Sequence, residues 1–329
     1  MADSPDFAQL PEDDEDMSEL SGEELAEHFQ DVTVGGRDRL YHSSQTAPYP
    51  FPVDTPEQKR VKKEHELLTR LLGDAFLGHI HHVLNPVPPG PRVVVDFGTG
   101  PGQWVMDMAE IYPEVIFHGL DIVPIAPRVD LPDNVNFEIH DINEQTRFLT
   151  GSINLVHARS VSMTVKDYRT IIREAARILR PGGLFISGEW LRYPAFDSAC
   201  FPNLNLRTNA PHLTLFFERW NEALLQRKGI RLVEHEIAEL VGESGCFGDV
   251  TSHSMFLPIG DWREELPLKA MGRQYRDCMR RYLESSRRLM LDNGHTNQEL
   301  DGMFANANHE MRYVEGMGGV YYVVTAIRL

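Results

Sequence analysis

Cysteine is scarce here: Cys200, Cys246 and Cys278 are the only three in 329 residues. They are too scattered for a metal knuckle or a disulfide framework. A chain of this length builds a core without cross-links, so a reducing compartment is expected. No apolar run reaches the length of a membrane-spanning helix. The N-terminus has neither the basic start nor the apolar stretch of a secretory signal. The expected address is therefore cytoplasmic, nuclear or both. Basic residues are absent from the first thirty positions, which hold eleven acids, among them Glu12, Asp13, Asp14, Glu15 and Asp16. The formal net charge is −17, and setting that segment aside leaves about −6 on the rest. So mild an acidity argues weakly against direct nucleic-acid binding and says little else.

The charge run defines the first boundary. Residues 1–45 read as a solvated acidic arm, because self-repulsion is high and apolar content is sparse. Within it, Leu25 and Phe29 leave Glu23–Phe29 as a candidate recognition helix. Residues 46–329 read as one α/β domain. A helix begins near Thr55, read as its cap, with Pro56 in the first turn and an apolar stripe through Leu68, Leu71, Leu72, Ala75 and Phe76. Four prolines in Asn85–Pro91 end that unit. His79, His81 and His82 are better read as helix-end histidines than as metal ligands. A βαβ alternation follows. Strands are expected at Arg92–Phe97, Val115–Leu120, Val135–Ile139, Ile153–Ala158 and Leu184–Gly188, with helices near 104–111 and 167–179. Leu213–Gln226 reads as a helix, Phe247–Leu257 and Gly319–Arg328 as strands, and about 262–316 as a helical insertion before the last strand.

After the first of these strands comes Asp96-Phe97-Gly98-Thr99-Gly100-Pro101-Gly102. A dinucleotide fingerprint would need glycine at 103, where Gln103 stands. Such a loop brings amides against a pyrophosphate, and Asp96 would set a carboxylate beside that anion. S-adenosylmethionine (AdoMet) inverts the requirement, being a sulfonium with an ammonium and a carboxylate but no phosphate. Bare backbone at Gly98, Gly100 and Gly102, with Thr99 between, suits its methionine moiety. Asp121 ends the second strand and is expected at the ribose hydroxyls, with Ile122 beside it. Asp141 follows the third and is expected at the adenine amino group, with Ile142 against the ring. Three acids at the carboxyl ends of successive strands, where open α/β sheets bind ligands, support one another.

Asp96–Asp107 (DFGTGPGQWVMD), Gly119–Pro127 (GLDIVPIAP) and Asn134–Ile142 (NVNFEIHDI) resemble, in that order, signature motifs of the fungal LaeA-like, TAM-domain type methyltransferases. Tyr49, Pro52, Asp54, Glu57, Arg60 and His65 match an N-terminal element of that family at the same spacing. The likeness runs from about Tyr49 to Trp190. His140 replaces a common second acid, and Pro101 and Gln103 replace small and apolar loop residues. The resemblance implies a class I methyltransferase fold: a Rossmann-like seven-stranded sheet, N-terminal helices and a helical insertion. It implies AdoMet as cofactor, with Trp104 of the motif among the cofactor residues. It also implies a regulator of fungal development and secondary metabolism, of VapB/VipC type. Such a regulator works in a heteromeric complex with a protein partner, such as another methyltransferase-like subunit or a velvet-type protein. Related fungal enzymes methylate small metabolites instead.

Methyl transfer from a sulfonium needs alignment and exclusion of water more than a covalent intermediate, and no base is evident. Arg159, after the fourth strand, is expected to hold cofactor or loop. Glu189 and Trp190, after the fifth, are expected at the acceptor, while His157 reads as a core residue. No N-P-P-Y-like run follows the fourth strand, which disfavours amide or adenine N-methylation. Arg273, Arg276, Arg280 and Arg287 form a basic helical stripe beside an apolar one of Met271, Tyr275, Cys278, Tyr282 and Leu289. It reads either as a packed helix with a solvated face or as a lid or docking surface for an acidic segment. Three functions stay open: a regulatory methyltransferase, a small-molecule O- or N-methyltransferase, and a non-catalytic scaffold. The intact loop and its acids speak against the third.

Overall fold

The computed structural model describes residues 28–85, 91–127 and 129–329, without the side chains of 74–79. It opens on a hairpin, β1 (Phe29–Val34) and β2 (Arg37–His42), paired antiparallel from Phe29↔His42 to Val34↔Arg37 around Gly35-Gly36. This corrects the boundary of the acidic arm at 45. Two glycines between alternating strands make a hairpin signal that the local charge obscured. Phe29 opens a strand here, while the rest of the candidate recognition helix, apart from His28, lies outside the described residues.

Helix α1 (Thr55–Leu84) starts at the residue expected to cap it, so the observed cap lies one residue earlier. Asp54 is the N-cap, its carboxylate accepting from the Glu57 amide at 3.2 Å. Gly73, at φ 55° and ψ −162°, divides α1 into two segments.

The sheet follows as β3 (Arg92–Phe97), β4 (Val115–Asp121), β5 (Val135–Ile139), β6 (Ile153–Arg159) and β7 (Leu179–Trp190), then β8 (Ala195–Phe196), β9 (Phe247–Pro258) and β10 (Met317–Arg328). Its order is β5-β4-β3-β6-β7-β10, with β9 and the two-residue β8 both pairing β10. Seven long strands match the expected sheet, and β8 makes an eighth. β7 starts five residues earlier than read, because Pro181-Gly182-Gly183 lies within the strand's span. The central parallel strands β3 and β6 are near-continuous apolar runs because both faces are covered, whereas the edge strand β5 alternates. On one face α1 and α2 (Gln103–Ile111) pack Leu68, Ile80, Trp104, Val105 and Met108 against Val94, Phe117 and Leu155. On the other, α3 (Arg169–Ile178) sets Ile171, Ile172 and Ala175 against Val95 and Val156. The alternation of Val94 and Val95 between these cores is the pleat of β3 read directly.

The chain continues through α4 (Leu206–Asn209), α5 (Pro211–Ala223), a π turn (Leu224–Lys228) and α6 (Ile237–Glu243), which joins the α3 face. Between β9 and β10 stand α7 (Leu266–Asp292) and α8 (Asn297–Tyr313), filling the expected helical insertion. Thr296 and Glu299 close a reciprocal capping box on α8. α5, α7 and α8 form a separate core around Trp220, Phe216, Leu283 and Phe304, joined by Phe51 and by Leu67 of α1. No helix among the described residues is long and apolar enough to cross a membrane.

Candidate active site

β3 pairs β4 on one side and β6 on the other. The connections leave in opposite directions there, so a crevice opens beyond the strand ends. A cavity occupies that place, with about 1660 Å³ of empty space including its mouth. The segment before α1, the loops after β3, β4, β5, β6 and β7, and α7 all contribute to its wall.

The glycine loop hangs from β4, with the Gly98 and Thr99 amides each donating to the Leu120 carbonyl at 2.9 Å. Gly98 has φ +69°, and a Cβ there would come within 2.8 Å of Val161 Cγ1. Gly100, at φ +56°, faces open space within the cavity, with no atom inside 4 Å of a would-be Cβ. The backbone thus forms a bare shelf that a side chain would occupy. Asp121 braces it: Oδ2 accepts the Gly100 amide at 2.8 Å and Oδ1 the Val123 amide at 3.2 Å. Withdrawal from solvent pushes its carboxyl up to about 6, against the pull of those amides. Asp141 is fixed by the Asn143 amide at 2.9 Å and side chain at 2.7 Å, and Asn143 also donates to the Thr164 carbonyl.

Asp96 is buried and bonded to His157 Nδ1 at 2.7 Å. Burial lowers the His157 pKa, so a neutral imidazole donates to that carboxylate. Trp104 stacks on His157 at 3.8 Å and 13°. Asp96, Gly98, Thr99, Gly100, Asp121, Ile122, Asp141, Ile142, Arg159, Glu189 and Trp190 all line the cavity. Gly102 and Trp104 are not among its lining residues. Gly102 is tight because a Cβ would meet Phe137 Cζ at 2.5 Å; Trp104 is a core residue of α2. Both support the loop from behind.

The Arg159 guanidinium makes no hydrogen bond or ion pair to protein among the described residues, although Arg159 stands in the cavity wall. Ser160 beside it has φ 57°, a strained value for a non-glycine residue at a site. Glu189 is buried, its Oε1 accepting the Val161 amide at 2.8 Å and the Ser162 amide at 3.1 Å. Burial, then the charge of Glu234, pushes its carboxyl up to about 8. Trp190 donates to Glu64 at 3.0 Å and stacks on Tyr275 at 4.6 Å and 17°.

Two groups of cavity residues had no site role in the local sequence reading. Along α1, Arg60 binds Glu57 at 2.8 Å and also Glu64, while Ser285 of α7 donates to Glu57 at 2.5 Å. The family-like spacing of Tyr49 to His65 was the signal for this group. The second is Tyr275, Cys278 and Tyr282 of the apolar stripe on α7, with Met279 beside them, all lining the cavity. The basic stripe beside it is matched from within the chain. Arg273 and Arg276 pair with Asp261, Arg280 with Asp277, and Arg287 with Glu284 and Asp301. The packed-helix reading fits these pairs better than the docking one. No cluster of three or more metal-ligating side chains occurs among the described residues.

A family model described as a methyltransferase domain matches residues 69–245, more than half of the chain. "Secondary metabolism regulator laeA" of Coprinopsis cinerea is 28% identical over 279 residues, covering 83% of this chain and 68% of that one. "Methyltransferase pytC" of Aspergillus terreus is 28% identical over 236 residues, covering 71% and 68%. Among solved structures, Haemonchus contortus phosphoethanolamine N-methyltransferase 2 in complex with S-adenosyl-L-methionine is 16% identical. Its TM-score is 0.46, over 80% of this chain and 56% of that one. Geranyl diphosphate C-methyltransferase of Streptomyces coelicolor is 14% identical, with a TM-score of 0.44 over 83% and 84%. With its sheet, its glycine shelf and a family model over most of its Rossmann-like half, the chain belongs to the methyltransferase domain family and is an S-adenosylmethionine-dependent enzyme of the class I fold.

Proposed function

We propose that the cavity holds AdoMet along the strand ends and a small-molecule methyl acceptor in the chamber beyond, within a fungal secondary pathway. The bare shelf at Gly98–Gly100 receives the methionine moiety. Asp121 retains lone pairs for the ribose hydroxyls, Asp141 and Ile142 stand for the adenine, and Arg159 is the cation available to the carboxylate. When bound, the cofactor supplies an activated methyl group with its leaving group already in place. The protein's part is to exclude water, align the acceptor and hold the loop. Glu189 and Trp190 are the residues assigned to the acceptor. The observation that carries this reading is the enclosure: α1, α7 and the segment before α1 wall the chamber, which suits a small molecule better than a protein side chain.

Calorimetric titration with AdoMet tests the cofactor half. The parent is expected to give a clear one-site isotherm, and Asp121→Ala to weaken it at least about tenfold through loss of charge-assisted hydrogen bonds. No heat from the parent would favour a scaffold instead.

A second reading, a nuclear or cytoplasmic regulator in a heteromeric complex, is favoured by the 28% identity to a protein named as a secondary metabolism regulator. Its partner would be a further methyltransferase-like subunit or a velvet-type protein. Co-purification from the native host separates the two. A stoichiometric protein partner supports regulation, whereas a lone chain that methylates a metabolite extract supports the small-molecule reading.

A further inference from the structure

We propose that the methyl acceptor is an uncharged, flat, largely apolar molecule carrying a hydroxyl or keto oxygen, its body held between aromatic walls and its oxygen set against Glu189. This rests on the methyltransferase reading above and narrows it to a substrate class.

The walls argue for the flat body. Trp190 and Tyr275 form one stacked pair at 4.6 Å. Phe51 stacks on Trp220 at 5.3 Å and 7° and takes the edge of Tyr282 at 4.9 Å. Trp190, Tyr275, Phe51 and Tyr282 all line the cavity. The Tyr282 hydroxyl is engaged, accepting from Trp220 at 2.8 Å, so that wall offers ring rather than polar atoms.

The charges argue for neutrality. The cations in the cavity wall are Arg60, Arg159 and Arg192. Arg60 stands between Glu57 and Glu64. Arg192 is buried 3.2 Å from Glu234 and donates to the Arg231 carbonyl at 2.5 Å. Arg192 keeps Nη1 without a hydrogen-bond partner, but its charge, like that of Arg60, is already matched by a carboxylate, and Arg159 is the cation assigned above to the cofactor. An anionic group would enter this chamber desolvated, with no cation there whose charge is not already matched or assigned to the cofactor.

Glu189 supplies the polar contact. Its Oε1 is taken by two backbone amides and the Ser162 hydroxyl also bonds to the carboxyl, while neither amide engages Oε2. Its carboxyl, pushed up to about 8, is protonated at neutral pH. Oε2 therefore presents an O–H that donates to a keto or phenol oxygen, and it does not offer the anion that would attract an ammonium group.

The test uses the full chain saturated with S-adenosylhomocysteine at pH 7, titrated calorimetrically with size-matched probes. These are 2-naphthol, naphthalene, naphthalene-2-carboxylate and 2-naphthylmethylammonium. The expected order places 2-naphthol first, at least about tenfold tighter than either charged probe and several-fold tighter than naphthalene. Glu189→Leu is expected to erase the advantage of naphthol over naphthalene, and Glu189→Gln, which keeps an acceptor for the amides and a donor for the ligand, to restore it. Heat from S-adenosylhomocysteine itself reports whether each variant keeps its cofactor site. Charged probes binding as tightly as naphthol would overturn the proposal. So would cofactor binding with no naphthol binding, or an unchanged naphthol preference in Glu189→Leu. Absence of cofactor heat in the parent would instead overturn the underlying methyltransferase reading.

Discussion

At the scale of single residues, two carboxyls withdrawn from solvent, half-buried Asp121 and buried Glu189, set the pH behaviour. Asp121 has its carboxyl raised to about 6 by withdrawal from solvent. If it accepts ribose hydroxyl protons as an anion, the cofactor must bind the deprotonated form. Below about pH 6 binding then includes the cost of removing a proton. The AdoMet Kd is expected to tighten up to about tenfold between pH 5 and 7 and then level off. Calorimetry across that range should give a flat profile for Asp121→Asn; a parent profile that is equally flat would remove Asp121 from the cofactor contact.

Glu189 acts on stability with the opposite slope. Its folded pKa, about 8, stands above the ordinary carboxyl value of 4.5, so the folded state holds a proton that the unfolded chain has released. The contribution is fully present below about pH 4.5 and declines as pH rises, being lost once pH passes about 8. The slope is at most about 1.4 kcal/mol per pH unit. Urea unfolding of the parent and Glu189→Gln at pH 5, 6.5 and 8 reads it. The parent should lose stability relative to the variant as pH rises, and a constant difference would refute the assignment.

At the scale of elements, α1 joins the N-terminal hairpin to the catalytic half. Asp54 caps α1 and also holds Arg39 of β2 through bonds of 2.5 and 3.1 Å. Phe29, Val53 and Val123 pack together with Ile122 and Ile125 close by, so the hairpin seats against the loop after β4. Asp54→Ala removes cap and ion pair together and is expected to cost about 2 kcal/mol. Asp54→Asn, which keeps the cap, should recover about half. Chemical denaturation measures both, and equal losses in the two variants would show that the cap contributes nothing.

Element identity was well marked locally. β3 to β6 match within a residue because β-branched and aromatic residues concentrate there between turn signals. β1 and β2 went unread because eleven acids upstream weighed against any ordered structure. The start of β7 was hidden by Pro181-Gly182-Gly183, residues that read as a turn, although Leu179 already pairs Ile153.

For the whole molecule, the cavity depends on parts far apart in sequence, and ligand linkage exposes this. A cofactor that binds only the folded chain adds about 2.7 kcal/mol at a free concentration of 100 times its Kd. Thermal unfolding with AdoMet at that excess should shift the midpoint upward by several degrees, and Asp121→Ala, if about tenfold weaker, should forfeit about half of the shift at the same concentration. No shift in the parent would contradict a cofactor site at the strand ends.

The edge of the cavity at the strand ends was legible from the chain alone, since its residues follow strands at a rhythm set by the βαβ unit. Asp96, Gly98, Gly100, Asp121 and Asp141 needed no knowledge of distant contacts. Trp104 and Gly102, from the same motif, turned inward, because a motif records spacing but not which face packs. The far wall of the cavity was decided by tertiary structure. Tyr275 meets Trp190, and Ser285 meets Glu57, across stretches of chain that no local pattern links. The protonation of Glu189 was decided there as well, since burial and Glu234 raise it. Periodicity and turn chemistry are written into neighbouring residues, whereas desolvation and enclosure arise only when remote segments come together.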